Sequence, residues 1–337
     1  MDLELYFTKI FQGMMQRKNW IDWAKAIGIL LVVMGHSEYS NPLIVQMIFM
    51  IHMPLFFVVS GYLFKPNKSF REITISSWKT LIVPFFLFNL IVAVYQLIPY
   101  ILTFIKTGNI DWNAAIFQQI LELPKGIALT MFVGPSWFLL ALVWCRYLIY
   151  LIHTKNLKFT IAIIWIILFT IRIQTGVKYW FAIDCGLAGF IWFEIGYLLK
   201  KYSNKLPEIT PPYWILIISA TAVLCYLGLK YNGQCNYILA KTKGIVGILS
   251  TGCGLISFFG ICKLLDNKES KLIINISKAS ILIMCMHMVI VPRLDRCMHF
   301  EGRMLYTFVG DMLVVLILTA VYPLVQKYLP VLIGNRK

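Results

Sequence analysis

Long apolar stretches alternate with short polar ones along almost the whole chain. A membrane-spanning helix needs about 20 mainly apolar residues, and ten stretches of the sequence meet that requirement. They are continuously apolar instead of alternating between apolar and polar positions, which favours helices over the strands of a β-barrel. The ten predicted spans lie near residues 20–38, 43–64, 81–105, 135–153, 157–174, 178–199, 212–229, 244–265, 272–292 and 305–329.

The composition indicates one class of protein. Hydrophobic residues make up 59% of the chain and charged residues 14%, and the mean hydropathy is +0.76. We therefore predict an all-α, polytopic membrane helix bundle of about ten transmembrane helices. No polar stretch is long enough for a second, soluble domain, so residues 1–337 are predicted to form a single membrane domain. Within it we expect a cytoplasmic N-terminal segment at 1–19, the bundle at 20–329 and a cytoplasmic tail at 330–337.

Basic residues outnumber acidic ones, 31 to 15, giving a net charge of +16. Such a charge attracts nucleic acids, but here the basic residues punctuate apolar segments, so we expect membrane lipids and not nucleic acid as their partners. With the N-terminus inside, the inner segments hold eighteen Lys and Arg and the outer ones ten. The positive-inside rule then predicts that both termini are cytoplasmic.

Two longer connections, at about 106–134 and 230–243, fall on the predicted outer side. The first ends in the Gly134-Pro135 pair, which is typical of an ordered re-entrant or interfacial loop. Such a loop suits either the binding of a hydroxyl-bearing substrate or a purely structural role. The third predicted span is long enough to tilt or break around Pro84 and Pro99.

The stretch from Trp20 to Phe64 carries three polar side chains at membrane depth, Lys25, His36 and His52. A charged or titratable group there costs roughly 2.5 kcal/mol or more, so it marks a candidate functional site. Lys25 and His36 are eleven residues apart, which on an α-helix gives an offset of about 20° and a separation of about 16 Å. A cation and an imidazole on one face at that distance suit a long co-substrate with a phosphorylated head and a reactive tip, such as coenzyme A.

Imidazole is well matched to taking a proton from a sugar hydroxyl near neutral pH and returning it to a leaving thiolate. His36 is therefore the candidate catalytic base, and Asp22 or Glu38 are candidates for orienting it. His52 lies beside a proline and is a candidate for the reaction centre or for binding the acceptor. The structural alternatives are a lysine that snorkels to the headgroups and histidines that serve only packing.

Other polar residues within the apolar segments are weaker candidates. Trp137 begins the fourth span, with Ser136 able to cap the helix, and suits interfacial anchoring or substrate stacking. Glu194, like Asp184 and Asp311, needs a partner if it is ionised. His287 suits a site role or interhelical hydrogen bonding.

The remaining candidates lie in loops or are cysteines. An outer basic cluster of Arg293, Arg296 and Arg303 is either a solvated loop or a site for an anionic ligand. The cysteines in the spans have no metal-like spacing and are predicted to be small core residues, with no metal site. Cys235 and Cys297 both fall in predicted outer loops, where a disulfide is one possibility.

The motifs DWAKAIGILLVVMGH, HMPLFFVVSGYLF and WKTLIVPFF resemble the opening of the acyltransferase family 3 membrane proteins, and the subgroup nearest in pattern is the stand-alone, fucose 4-O-acetylase-like one. PSWFLLALVWCRYL, FEIGYLLK and SKASILIMCMHMVIVP resemble later segments of that family. The order of these motifs along nearly the full length is more specific than any one of them.

This resemblance implies transfer of an acyl group, usually acetyl from acetyl-CoA, to hydroxyls of surface glycans at the bacterial cytoplasmic membrane. It places the family's basic residue and histidine on Lys25 and His36, with His36 catalytic. The basic residue before Leu-x-x-Pro maps to Lys79, and Arg71 is the nearest arginine, so these two join Lys25 as candidate contacts of the cofactor head. No part of the chain resembles the SGNH-type domain of some members, so the membrane domain itself is expected to carry out the transfer.

The main alternative is a multi-pass transporter or flippase for a lipid-linked sugar. In that hypothesis the buried histidines and acids are proton or headgroup sites, and no coenzyme A is consumed. The absence of an internal repeat in the sequence weakens this alternative.

Overall fold

A computed structural model describes residues 18–37, 41–65, 68–109, 114–126, 131–205, 207–232, 244–298 and 304–334. Within these ranges the chain forms helices and no strand. The α-helices are α1 (Asn19–Met34), α2 (Pro42–Leu63), α3 (Phe70–Ser77), α4 (Val83–Thr107), α5 (Ala114–Glu122), α6 (Trp137–Thr154), α7 (Lys158–Thr175), α8 (Ile183–Lys201), α9 (Pro211–Asn232), α10 (Gly244–Leu264), α11 (Lys271–Met298) and α12 (Met304–Tyr328).

Each of the ten predicted apolar segments overlaps one of these helices, so the polytopic all-α architecture is confirmed. Among the described residues, eight helical stretches have the length and hydropathy of a membrane span. The two other predicted spans correspond to α1, which has 16 residues, and α7, which has 18. The number of crossings and the cytoplasmic position of both termini remain predictions.

The third span was predicted to tilt or break around Pro84 and Pro99. The structure instead has a π-helical turn before Pro84 and a continuous helix through Pro99. A π-helical turn, Trp78–Ile82, joins α3 to α4 without a break in the helical run. Pro84 follows this turn, and because proline has no N–H and its ring crowds the carbonyl four residues back, the wider turn accommodates it. Pro99 lies inside α4, and the helix continues through it to Thr107.

The interior of the bundle is built around α1, which contacts α2, α10, α11 and α12, while α2 packs on α8 and α8 on α6. The α2 and α8 helices run parallel, with Phe57 against Gly189 and Gly61 against Phe193. At their close approach a Cβ on Gly61 or Gly196 would overlap a carbonyl of the facing helix. Small residues at such crossings let helix backbones come close, which is how membrane helices associate.

The helices far from this interior present apolar side chains outward. Phe159 and Ile163 on α7 are 86% and 58% exposed, and Leu216 on α9 is 66% exposed. Apolar surface of this extent suits contact with lipid. The candidate site therefore has to be sought among the inner helices, where the predicted polar residues converge.

Candidate active site

His36 lies just beyond the end of α1, in a tightened turn. The helix ends at Met34, and the N–H of His36 donates to the carbonyl of Val33, three residues back. The predicted offset of 20° from Lys25 assumed a regular α-helix as far as His36, so it does not describe this last turn. The turn leaves the His36 side chain exposed, as a group that exchanges protons with a substrate must be.

The structure brings His36, His52 and His287 together from three different parts of the chain. The ring of His36 lies 5.2 Å from the ring of His287 on α11. Phe49 bridges the other pair, 6.3 Å from His36 and 5.3 Å from His52 between ring centroids. His52 and His287 are buried, at 3% and 0% exposure, so the exposed His36 is the member of this histidine cluster that a substrate can reach first.

Backbone contacts define the protonation of the two buried rings. His52 Nδ1 is 2.7 Å from the carbonyl oxygen of Ile48, and His287 Nδ1 is 2.9 Å from that of Ile283. Because a carbonyl oxygen only accepts, each Nδ1 carries the proton, and Nε2 of the neutral ring is left with its lone pair. His287 Nε2 is buried and makes no hydrogen bond to any described residue. Within the described chain, no three His, Cys, Asp or Glu side chains are arranged to hold a metal ion.

Two buried Ser–Asp hydrogen bonds fix α1 at both ends. Ser37 Oγ donates to Asp311 Oδ1 of α12 at 2.5 Å, directly beside His36. Ser277 Oγ of α11 donates to Asp22 Oδ1 at 2.6 Å near the other end of α1. Asp22 accepts from Ser277 in the first turn of α1 and lies about 21 Å along the helix from His36, so it does not orient that ring. Glu38 lies outside the described residues.

A short 3-10 turn, Gly134–Ser136, packs next to His287 on α11. A Cβ on Gly134 would lie 3.1 Å from the sulfur of Met288, the residue after His287. The buried Asn89 of α4 holds this turn, since its Oδ1 accepts from the N–H of Val133 at 3.0 Å and its Nδ2 donates to Ser136 Oγ at 3.0 Å. The end of the predicted loop at 106–134 is thus ordered and buried.

Trp137 starts α6 as predicted, but its surroundings differ from the prediction. Its side chain is 7% exposed and packs edge-to-face on Phe138, whose ring lies 4.9 Å from that of Phe57 on α2. Ser136 makes no capping bond, because its hydroxyl donates to the carbonyl of Val133 at 2.6 Å. Trp137 is therefore a buried residue behind the Gly134–Ser136 turn.

Glu194 lies apart from the histidine cluster. Its Oε1 is 2.8 Å from Nε2 of His153, to which the sequence assigned no role. Since α8 runs parallel to α2 with Gly61 against Phe193, Glu194 is level with residue 62, ten residues from His52. At 1.5 Å per residue, this places Glu194 about 15 Å from His52 along the bundle.

The predicted basic residues lie on three elements, α1, α3 and the π turn. Lys25 is partly buried in the middle of α1, whereas Arg71 on α3 and Lys79 in the π turn are exposed. A residue that the sequence did not single out, Arg146 of α6, contacts the same π turn. Its Nη1 donates to Ser77 Oγ at 3.3 Å and to Thr80 Oγ1 at 3.2 Å. The sequence could have indicated Arg146, because it is a charged residue within the apolar segment of the fourth predicted span.

The other polar candidates have structural partners. Asp184 pairs with Arg172 at 2.9 Å, both buried, so Arg172 is not the outer loop charge assumed in the orientation count. Arg293 is exposed, its guanidinium stacks on the ring of Tyr95 at 4.5 Å, and it donates to the carbonyl of Val289. The rest of the outer cluster, Arg296 and Arg303, lies outside the described side chains. Cys235 and Cys297, for which a disulfide was one possibility, also lie outside them.

The cysteines of the spans are free thiols. Five are buried and Cys253 is partly buried, which confirms them as small core residues. The five buried ones are Cys145, Cys185, Cys225, Cys262 and Cys285.

A polytopic helical membrane protein with an imidazole cluster at the end of its first helix is the class that this fold and site define. The chain matches the acyltransferase 3 family model, described as an acyltransferase domain, over residues 18–325. It therefore belongs to acyltransferase family 3 and is a membrane acyltransferase. The comparisons with curated proteins and with solved structures gave no match.

Proposed function

We propose that this acyltransferase moves an acetyl group from cytoplasmic acetyl-CoA to a hydroxyl of a cell-envelope or extracellular polysaccharide, at the bacterial cytoplasmic membrane. The observation that carries this proposal is the exposed His36 ring 5.2 Å from the buried His287 ring. An accessible imidazole backed by a second imidazole suits proton transfer from a hydroxyl. The family match favours acyl transfer over the transporter or flippase alternative.

In the proposed reaction, His36 removes the proton from the acceptor hydroxyl as its oxygen attacks the thioester carbonyl carbon. A C–O bond forms, the C–S bond breaks, and coenzyme A leaves as a thiolate. The imidazolium of His36 then returns the proton to the thiolate sulfur, so that atoms and charge balance. His287 supports His36, and the Gly134–Ser136 turn borders the space that the acceptor enters.

The first prediction is that His36→Ala strongly slows this transfer. General-base catalysis typically contributes 10²- to 10⁴-fold, so we expect the rate to fall by about that factor. The measurement is incubation of membranes with labelled acetyl-CoA and extracted envelope glycan. His153→Ala is the matched control, because this histidine is paired with Glu194 away from the cluster, and it should transfer label at a rate close to that of the wild type.

Three outcomes distinguish the catalytic residue, the donor and the acceptor in this proposal. Equal transfer by wild type and His36→Ala would contradict the catalytic assignment. Consumption of a longer acyl-CoA but not acetyl-CoA would retain the reaction and correct the donor. Absence of label on every envelope glycan, with the wild-type protein folded and present, would contradict the acceptor class.

A further inference from the structure

Arg146 is a cation within the helix bundle, and none of the described residues is its acidic partner. It is partly buried on α6, and no carboxylate of the described residues lies within ion-pair distance of it. Carboxylates of the inner helices are engaged elsewhere, Asp184 with Arg172 and Glu194 with His153. An arginine held among membrane helices without a counter-charge is costly, so its retention indicates a function.

The groups around Arg146 are arranged to hold the guanidinium without neutralising it. Nη1 donates to the hydroxyl oxygens of Ser77 and Thr80. Thr80 Oγ1 itself donates to the carbonyl of Ser76 at 2.8 Å, which leaves its lone pairs for Arg146. Nε and Nη2 make no hydrogen bond to the described residues and keep access to solvent. Those nitrogens form the edge that an anion would meet.

The surroundings of this site fix its position. Thr80 belongs to the π turn that accommodates Pro84, and Ser77 is the residue just before that turn. Gly334, near the other end of the chain, packs against it, since a Cβ on Gly334 would lie 2.9 Å from Thr80 Cα. Lys79 of the same turn is exposed and adds a second positive charge. π-Helical turns occur frequently at functional sites.

The site lies far along the bundle from His36. The α6 helix runs beside α2 with Phe138 against Phe57, so Arg146 is level with residue 65, at the predicted cytoplasmic end of α2. His36 is level with Phe49. The sixteen residues between these levels correspond to about 24 Å at 1.5 Å per residue, which is on the scale of an extended coenzyme A molecule.

We propose that Arg146, held by the hydroxyls of Ser77 and Thr80, binds a phosphate group of the acyl-CoA nucleotide. This inference rests on the proposed function and extends it by assigning the head of the donor to α6 and the π turn. The planar guanidinium offers two parallel N–H donors to phosphate oxygens, which a lysine does not. Arg146 thus supplies the bidentate contact that Lys79, a lysine, lacks.

The test is ligand binding by the purified full-length protein in nanodiscs of zwitterionic lipid. The probes are coenzyme A, dephospho-CoA, which lacks the 3′-phosphate, and pantetheine, which lacks the whole nucleotide. We expect Arg146→Gln to weaken coenzyme A binding at least tenfold, because charge-assisted hydrogen bonds to phosphate are lost. Pantetheine binding should stay within about twofold. The coenzyme A affinity of Arg146→Lys should lie between those of the wild type and Arg146→Gln. If Arg146→Gln weakens coenzyme A binding but not dephospho-CoA binding, Arg146 contacts the 3′-phosphate.

Lys158→Gln is the matched control, since Lys158 is an exposed cation at the start of α7, on the same predicted side, and its removal should leave coenzyme A binding unchanged. Unchanged coenzyme A binding by Arg146→Gln would overturn the inference, as would equal weakening of coenzyme A and pantetheine. A second set of nanodiscs containing phosphatidylglycerol tests the other phosphate source. If Arg146 governs stabilisation by that lipid and not coenzyme A affinity, the site binds headgroups and the inference is wrong. If the wild type binds no coenzyme A, the proposed function itself fails.

Discussion

The two ring nitrogens of His287 differ in their hydrogen bonding. Its Nδ1–H donates to the carbonyl of Ile283, and its Nε2 lies buried without a hydrogen bond to the described chain. A buried acceptor without a partner costs about 1–3 kcal/mol. Because the ring of His36 lies 5.2 Å from the ring of His287, we propose that this lone pair accepts a hydrogen bond during the reaction, either from the protonated His36 or from a substrate hydroxyl.

The second prediction tests this lone pair. His287→Asn keeps a side-chain N–H near the position of Nδ1, so the bond to Ile283 is retained while Nε2 is removed. We expect kcat for acyl transfer to fall about 100-fold, in the range typical of an assisting proton-transfer group, with a much smaller change in KM for acetyl-CoA. His287→Gln, whose amide reaches the position of Nε2, should recover part of kcat. If kcat falls by the same factor in both variants and both also lose thermal stability, His287 serves packing alone.

At this scale the sequence singled out the three histidines that the structure brings together. His36, His52 and His287 could be singled out because an imidazole at membrane depth is unusual wherever it occurs. Arg146 was missed because its partners, Ser77 and Thr80, are distant in sequence and uncharged, and no charge pattern connects them. The partner of Glu194 could not be predicted for the same reason, since only the fold reveals that it is His153.

Two glycines near the ends of α2 and α8 let these helices approach closely. Gly61 in the SGYLF segment of α2 lies against the carbonyl of Phe193, and Gly196 in the FEIGYLLK segment of α8 lies against the carbonyl of Val58. Hydropathy predicts both helices, but it carries no information about which helices cross or how closely. The close packing of α2 on α8 depends on the absence of a side chain at these two glycines. A hydrophobicity scale does not reveal this steric requirement.

The third prediction concerns this crossing. Gly196→Ala forces α2 and α8 apart, since the added Cβ would overlap the carbonyl of Val58, and overpacking typically costs about 1–3 kcal/mol. We expect a clear fall in the melting temperature of the detergent-solubilised protein. Gly252→Ala on α10 is the control, because there the nearest atom to the new Cβ is 3.9 Å away. It should leave the melting temperature unchanged or raise it, since alanine favours the helix.

At the scale of the whole molecule, the two ends of the bundle have different chemistry. The histidine cluster, the Ser37–Asp311 bond and the Gly134–Ser136 turn lie toward one end, and Arg146 and the π turn lie toward the other. The chain-long order of apolar segments predicted the helices, whereas this division emerges only from how they pack. In the proposed function, the end with Arg146 takes the donor and the end with His36 takes the acceptor.

The last prediction decides whether α1 crosses the membrane, on which this division depends. Its 16 residues span about 24 Å, less than the roughly 30 Å of a bilayer core. Yet α1 runs beside the 22-residue α2 over most of its length, with Trp20 at Tyr62 and His36 at Phe49. Protein surrounds it there, so a full hydrophobic length is not required.

We therefore expect a reporter inserted at residues 38–40 to be accessible from outside the cell, and one inserted at residues 66–67 to be accessible only from the cytoplasm. Insertions in these connections should leave the helices intact, and retained acyl transfer is the check that they do. A reporter at 38–40 that is protected from outside would place His36 on the cytoplasmic side, where the acceptor glycan would have to be modified before export.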